Sequence, residues 1–333
     1  MKNFFKKILV YLFVSLLILT LYGLFCEWFF GIQKYFPNDS KRAWSMKQQS
    51  QQYDYAVLGS SRAEEAFDML LLDSLIQEKG INIGCNGSGY VDNYLVLNKF
   101  LQNKNTIKTL FLQVDIYSLD PEHNFSNSFH VYNFLPFWHD TIFKSAISHY
   151  LSSSDQMVFN YAPWMRFYVY NKYFSPIEVI RRLKQNSYPE KKRFDKPTWY
   201  FSTPELKTDS SIFFKKGLPR EIKIQPFDVE YLKRILRLAK ANNIQVVLFT
   251  SPDFIQQEKV FSNYFSTKNS LDSLLVPYSF IRFEADESLR NNIALFKDPA
   301  HLNGYGKFLH TKSFADKYWK FVKRRPSIPT LTY

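Results

Sequence analysis

The sequence predicts an alternating α/β domain, a parallel sheet with helices on both faces, carried behind an N-terminal membrane helix. Three observations point there. A charge-free run of about eighteen residues stands near the N-terminus. Short apolar strands end at Gly59, at Gly84 and at the turn Thr250-Ser251-Pro252. Apolar residues recur at helical spacing in the segments between them. The composition suits one sizeable domain plus extra segments: 333 residues are 46% hydrophobic and include 33 Phe, 22 Tyr and 6 Trp.

The first element is the apolar run. Lys2, Lys6 and Lys7 precede Ile8–Phe25, and Trp28, Phe29 and Phe30 follow as an interfacial aromatic belt. No small-x-small cleavage site closes the run, so residues 1–30 read as an uncleaved signal anchor, with a cleaved signal peptide as the alternative. The lysines place the N-terminus in the cytoplasm and the main domain outside, as a single-pass protein of the cytoplasmic membrane. Phe25 stands where a lipoprotein site wants a small residue, so lipidation at Cys26 is not expected. Nor is a disulfide between Cys26 and Cys85.

Residues 31–52 read as a polar juxtamembrane linker. The α/β pattern starts at 53 and runs to 333. Tyr55–Leu58 is the first strand, and Ala63, Ala66, Phe67, Leu70 and Leu71 mark a helix after it. Ile81–Ile83 is a second strand, and Tyr90, Val91, Tyr94, Leu95 and Leu101 mark a second helix. Ile107–Val114 is nearly continuous in apolar character, as a strand covered on both faces should be. The alternation then stops, and residues 118–226, rich in Phe, Tyr, Trp, Pro and Lys, read as an aromatic insertion or cap. Order returns at Asp228, read as an N-cap, with Val229, Leu232, Ile235, Leu236 and Ala239 on one helix face. Ile244–Phe249 is a buried strand. A last helix, Gly304–Val322, turns Phe308, Phe314, Ala315, Tyr318 and Phe321 inward, and the tail from Lys323 to Pro326 is solvated.

The net charge of +13 attracts anionic polymers and membrane surfaces without choosing between them. With no zinc-finger spacing, RNA-binding aromatic signature or dense Lys/Arg tract, nucleic acid is not expected as a partner. There is no Gly-x-Gly-x-x-Gly, no P-loop and no His-Glu-x-x-His. Asp92, His123, His130 and His139 fall in no ligand spacing, so neither metal nor cofactor is expected.

In a parallel sheet ligands bind beyond the carboxyl ends of the strands, where three motifs should meet. Gly59-Ser60-Ser61-Arg62 puts a serine at a strand-to-helix turn, its hydroxyl exposed and its own N–H available to an oxyanion; alone, it reads as a turn with an N-cap. Asn82-Ile83-Gly84-Cys85-Asn86-Gly87 ends a strand in glycines, which let the backbone approach a ligand; alone, it is a tight turn. Asp298-Pro299-Ala300-His301-Leu302-Asn303 sets a carboxylate three residues before an imidazole. That carboxylate can accept the Nδ1–H and leave Nε2 free as a base.

Together and in this order, the three motifs resemble the SGNH (GDSL-type) hydrolases and acyltransferases, over roughly residues 53–115 and 228–322. The resemblance implies a three-layer, flavodoxin-like α/β/α fold. It makes Ser61 the nucleophile, with Ser60 where Asp usually stands, and Asp298 and His301 the rest of a triad. It makes the N–H groups of Ser61 and Gly87 the oxyanion donors. Val246–Pro252 matches the family's penultimate strand. The third block departs: its Asn is absent from Leu112-Gln113-Val114-Asp115-Ile116. Missing Asn and membrane anchor together resemble envelope members that take part in polysaccharide O-acetylation or teichoic-acid D-alanylation. Those members imply a cell-envelope glycan as substrate and a membrane-bound O-acyltransferase as partner. An inactive glycan-binding scaffold of the same fold, and a chance match of the motifs, are the alternatives. Arg62 reads as the partner of Asp115 or Glu65, or as a contact to an anionic substrate; Ser60, Asp115 and Asn303 complete the candidate supporting residues.

Overall fold

A computed structural model describes residues 2–31, 41–119, 131–185, 219–278 and 280–323. Parts of the linker (32–40) and insertion (120–130 and 186–218), with His123 and His130, and the tail beyond Lys323 lie outside the described residues. The chain divides into two compact units, one of residues 1–43 and 126–190, the other of 44–125 and 191–333.

The second unit is α/β. Its main sheet has five strands among the described residues, β1 (Gln52–Leu58), β2 (Gly80–Asn82), β3 (Thr106–Gln113), β4 (Gln245–Phe249) and β5 (Ile281–Phe283). They run parallel in the order β2-β1-β3-β4-β5, the flavodoxin-like arrangement. Side chains alternate between the faces. Tyr55, Val57, Phe111, Val247 and Phe249 point to one face and form a core with Phe67, Leu72, Ile76, Phe314, Ala315 and Tyr318. These residues come from the stretch after β1 and from the C-terminal helix Gly304–Lys323. The intervening strand residues, Ala56, Leu58, Leu110, Leu112, Val246 and Leu248, are buried on the other face. Helices Tyr90–Gln102 and Pro226–Ala241 pack together on that side, with the Tyr94 and Tyr231 rings 5.4 Å apart.

Three details differ from the expectations. The N-cap of Pro226–Ala241 is Gln225, and Asp228 lies in the first turn, because Pro226 is suited to the first helical position. Phe308 is 37% exposed rather than inward, stacked at 6.4 Å on Tyr305. The linker segment holds a helix, Lys41–Lys47, with Trp44 and Met46 buried; Asn103 and Asn105 donate to the carbonyls of Met46 and Gln48 at 2.7 Å.

The first unit is helical. Its N-terminal helix contains Asn3–Phe30, which among the described residues is long and apolar enough to cross a membrane. Glu27 accepts from the buried Arg166 and lies 2.6 Å from His139, and Phe30 packs between Phe167 and Phe174. The middle of the insertion is thus built of short helices, from Thr141–Ser148 to Pro176–Gln185. Cys26 and Cys85 are free and buried.

Candidate active site

β1 ends at Leu58, and the chain turns at once into the short helix Ser61–Ala66, with Ser60 as N-cap accepting from the Arg62 N–H. Gly59 stands at the turn because there is no room for a side chain: an added Cβ would lie 2.6 Å from the Gln113 Cβ and 2.7 Å from that of Ala63. The turn leaves Ser61 half-buried at the first helical position, where backbone N–H groups have no helical acceptor.

His301 arrives from a two-stranded hairpin, β6 (Phe296–Asp298) and β7 (His301–Leu302), whose turn is Pro299-Ala300. Its Nε2 lies 2.8 Å from Ser61 Oγ. Its Nδ1 lies 2.9 and 3.0 Å from the two Asp298 oxygens. Asp298 Oδ1 also accepts from the N–H groups of Ala300 and His301, at 2.9 and 3.0 Å. Burial alone would raise the Asp298 carboxyl; the His301 hydrogen bond and charge, with Ala300 and Lys297, outweigh it and hold the group below its usual range. A carboxylate fixed on Nδ1 leaves Nε2 as the acceptor facing the serine hydroxyl.

The glycine loop is tied to the same turn. Asn82 donates to the Ala63 carbonyl at 3.0 Å, and Cys85 N–H donates to the Gly59 carbonyl. Gly87 has φ 68°, in the left-handed region. Among the described residues, the N–H groups of Ser61 and Gly87 have no hydrogen-bond acceptor. Backbone N–H groups usually find one, so both remain available to a ligand.

The remaining candidates do not line up with Ser61 Oγ. Ser60 directs its hydroxyl and its N–H to Gln113 Oε1, at 3.1 and 2.8 Å. Arg62 is buried, 2.8 Å from Asp115, and donates to the Ser251 carbonyl; its guanidinium lies 4.6 Å from the Tyr117 ring centre. Glu65 pairs instead with Lys297. Asp115 further accepts from Gln113 and from Ser118. Asn303 caps the C-terminal helix, accepting from Gly306 N–H at 2.9 Å and donating to the Ala294 carbonyl at 2.7 Å.

Sequence reasoning missed two parts of this support. Gln113 follows the buried apolar run Leu110-Phe111-Leu112 of β3 and is itself buried, and a polar residue there signals a buried hydrogen-bonding task. Asp253 accepts from Tyr117 Oη at 2.5 Å and from Arg290 at 2.9 Å, and lies 3.9 Å from Arg62. It carries no local signal, since its partners stand far away in the chain. Among the described residues no group of three His, Cys, Asp or Glu could hold a metal ion.

No protein-family profile matches the chain, and no curated protein matches it by sequence. Among solved structures, the crystal structure of an acetyl xylan esterase, AlAXEase, aligns with 80% of this chain and 99% of that one, at 14% identity and a TM-score of 0.39.

Proposed function

We propose that the α/β unit carries out acyl transfer through a covalent ester on Ser61. The observation that carries this reading is the unbroken chain Ser61–His301–Asp298, with 2.8 Å between hydroxyl and base and 2.9 Å between base and carboxylate. His301 Nε2 takes the Ser61 proton as Oγ attacks an acyl carbonyl, and Asp298 stabilises the imidazolium. The N–H groups of Ser61 and Gly87 hold the tetrahedral oxyanion. His301 then returns the proton to the departing alcohol. Water (esterase) or a glycan hydroxyl (O-acyltransferase) attacks the acyl-enzyme, its proton passing to His301, which returns it to Ser61 Oγ as the ester bond breaks.

The acceptor we favour is a cell-envelope glycan, with the chain held at the cytoplasmic membrane by residues 1–30, its main domain exported, beside a membrane-bound O-acyltransferase. The exposed, nearly parallel rings of Tyr305 and Phe308, on the helix that follows His301, support a carbohydrate, since aromatic faces suit sugar rings.

The test is p-nitrophenyl acetate hydrolysis by the full chain beside Ser61→Ala and His301→Ala. Turnover should fall by about 10⁴-fold or more in both, and equal turnover in all three refutes the reading. One observation favours a second reading, an inactive glycan-binding scaffold. No Asn stands at the end of β3, and Gln113 there is committed to Ser60 and Asp115. A fluorophosphonate that fails to label Ser61 in a folded, glycan-binding protein selects the scaffold.

A further inference from the structure

The helical unit has an apolar outer surface. Helix Pro176–Gln185 sets Ile177, Ile180 and Leu183 along one side, exposed by 78, 53 and 52%. Val179, at the edge of the same arc, is buried within the unit. Arg181 and Glu178 pair on the opposite flank at 2.7 Å, and Lys184 is exposed at the border of the apolar arc, beside Ile177. This distribution, an exposed apolar arc bordered by cations whose long side chains can reach past it, belongs to helices that lie in a membrane interface.

The N-terminal helix measures where that surface lies. Ile8–Cys26 carries no charge, and Glu27 is the first acidic residue. Three contacts fasten the unit below Glu27. An added Cβ on Gly23 would lie 2.7 Å from the Trp164 ring. Tyr22 donates to the Phe174 carbonyl at 3.0 Å, and Tyr168 donates to the Leu19 carbonyl at 2.5 Å. At 1.5 Å per residue, Tyr22 and Leu19 lie about 8 and about 12 Å along the helix from Glu27, toward the N-terminus. The stretch 164–174 is therefore bound to the charge-free part of the helix, and Pro176 begins two residues later. A groove lined by Ile18, Leu19, Tyr22, Phe167, Phe174 and Pro176 opens at that level. Both tyrosine hydroxyls find carbonyls inside the unit, as hydrocarbon surroundings require.

We propose that this helical unit is an in-plane membrane element. Ile177, Ile180 and Leu183 rest among the phospholipid acyl chains of the leaflet at the C-terminal end of the spanning helix. An acyl chain fills the groove, and Arg181 and Lys184 face the headgroups. The proposal rests on the N-terminal helix crossing the membrane and is independent of the acyl-transfer reading.

The test uses the full chain in phosphatidylcholine–phosphatidylglycerol nanodiscs. An environment-sensitive fluorophore is attached to Ile180→Cys, Leu183→Cys, Arg181→Cys or Leu12→Cys, with Cys26 and Cys85 replaced by Ala. Labels at 180 and 183 should be quenched by shallow nitroxide lipids, with iodide quenching about fivefold weaker than at 181. Iodide quenching equal to that at 181, with the Leu12 label reached by deep nitroxides, overturns the proposal. Labels shielded from both quenchers also overturn it, because a protein surface then covers the helix. A Leu12 label beyond the reach of deep nitroxides removes the spanning premise itself. The unsubstituted chain supplies a second readout: a phosphatidylcholine with a photoactivatable acyl chain should leave adducts within 167–183 as well as within 8–26. Adducts confined to 8–26 count against the proposal.

Discussion

In the α/β unit, alternating strand residues fill both faces of one sheet, and buried Ser60, Arg62, Gln113, Asp115 and Asp253 are joined in a connected network behind Ser61. In the helical unit, short helices are held by ring-on-ring contacts and by a few side-chain bonds to one long helix. The first arrangement fixes atoms to within a hydrogen bond, which acyl-transfer chemistry needs. The second tolerates small shifts, because dispersion contacts between rings change gradually with position. The contrast fits the two proposals, chemistry in the α/β unit and surface attachment in the helical one.

The comparison can be sharpened by substitution, starting with the largest effect. Asp298→Asn should lower ester turnover by about 10³- to 10⁴-fold, since it removes the charge that fixes the His301 tautomer. The circular dichroism spectrum should stay unchanged, and a loss below tenfold would separate Asp298 from the chemistry. Arg62→Met should cost about 3–5 kcal/mol in urea unfolding, because Asp115 is left buried beside an apolar chain.

A third test uses pH. His310 is fully buried against Phe67, its Nε2 without a partner among the described residues. Burial first, then Lys317 and Arg62, push its imidazole down to about 3, against the pull of Asp286. The unfolded chain binds this proton below about pH 6.5 and the folded chain does not. Its contribution is therefore intact above pH 6.5 and is lost as pH falls from there toward 3, on the order of 2 kcal/mol by pH 5. His310→Phe should flatten that slope, and an unchanged slope would assign it to other groups. The smallest effect belongs to the helical unit. Tyr168→Phe removes one hydroxyl bond and should cost about 1 kcal/mol, read from thermal unfolding in nanodiscs. A cost equal to that of Arg62→Met would erase the contrast between the units.

The same contrast explains what was legible in the sequence. The strand–helix alternation marked β1 to β4 within a few residues, because strands covered on both faces read as apolar runs. β5 escaped because it is three residues long with Arg282 at its centre. The helix Tyr264–Leu275 escaped because serines and Lys268 dilute its period. Ser61, Asp298 and His301 were legible because each lies in a motif closed over a few residues. Asp115 was legible as one of two partners for Arg62, the other being Glu65, whereas Asp253 was not, since its partners meet it only after the sheet has formed. Nor does aromatic packing impose a period, so nothing in residues 126–190 indicated their grouping with the N-terminal helix.

Arg62 follows Ser61 directly in the turn after β1, and its guanidinium ties that turn to the end of β3 through Asp115 and to the end of β4 through the Ser251 carbonyl. Loosening that guanidinium by heat would let three loops drift at once while the sheet beneath them stays paired. The temperature at which activity disappears should then fall below the melting temperature of the sheet. Thermal inactivation would become a local, reversible event, recoverable on cooling as long as the strands have not separated.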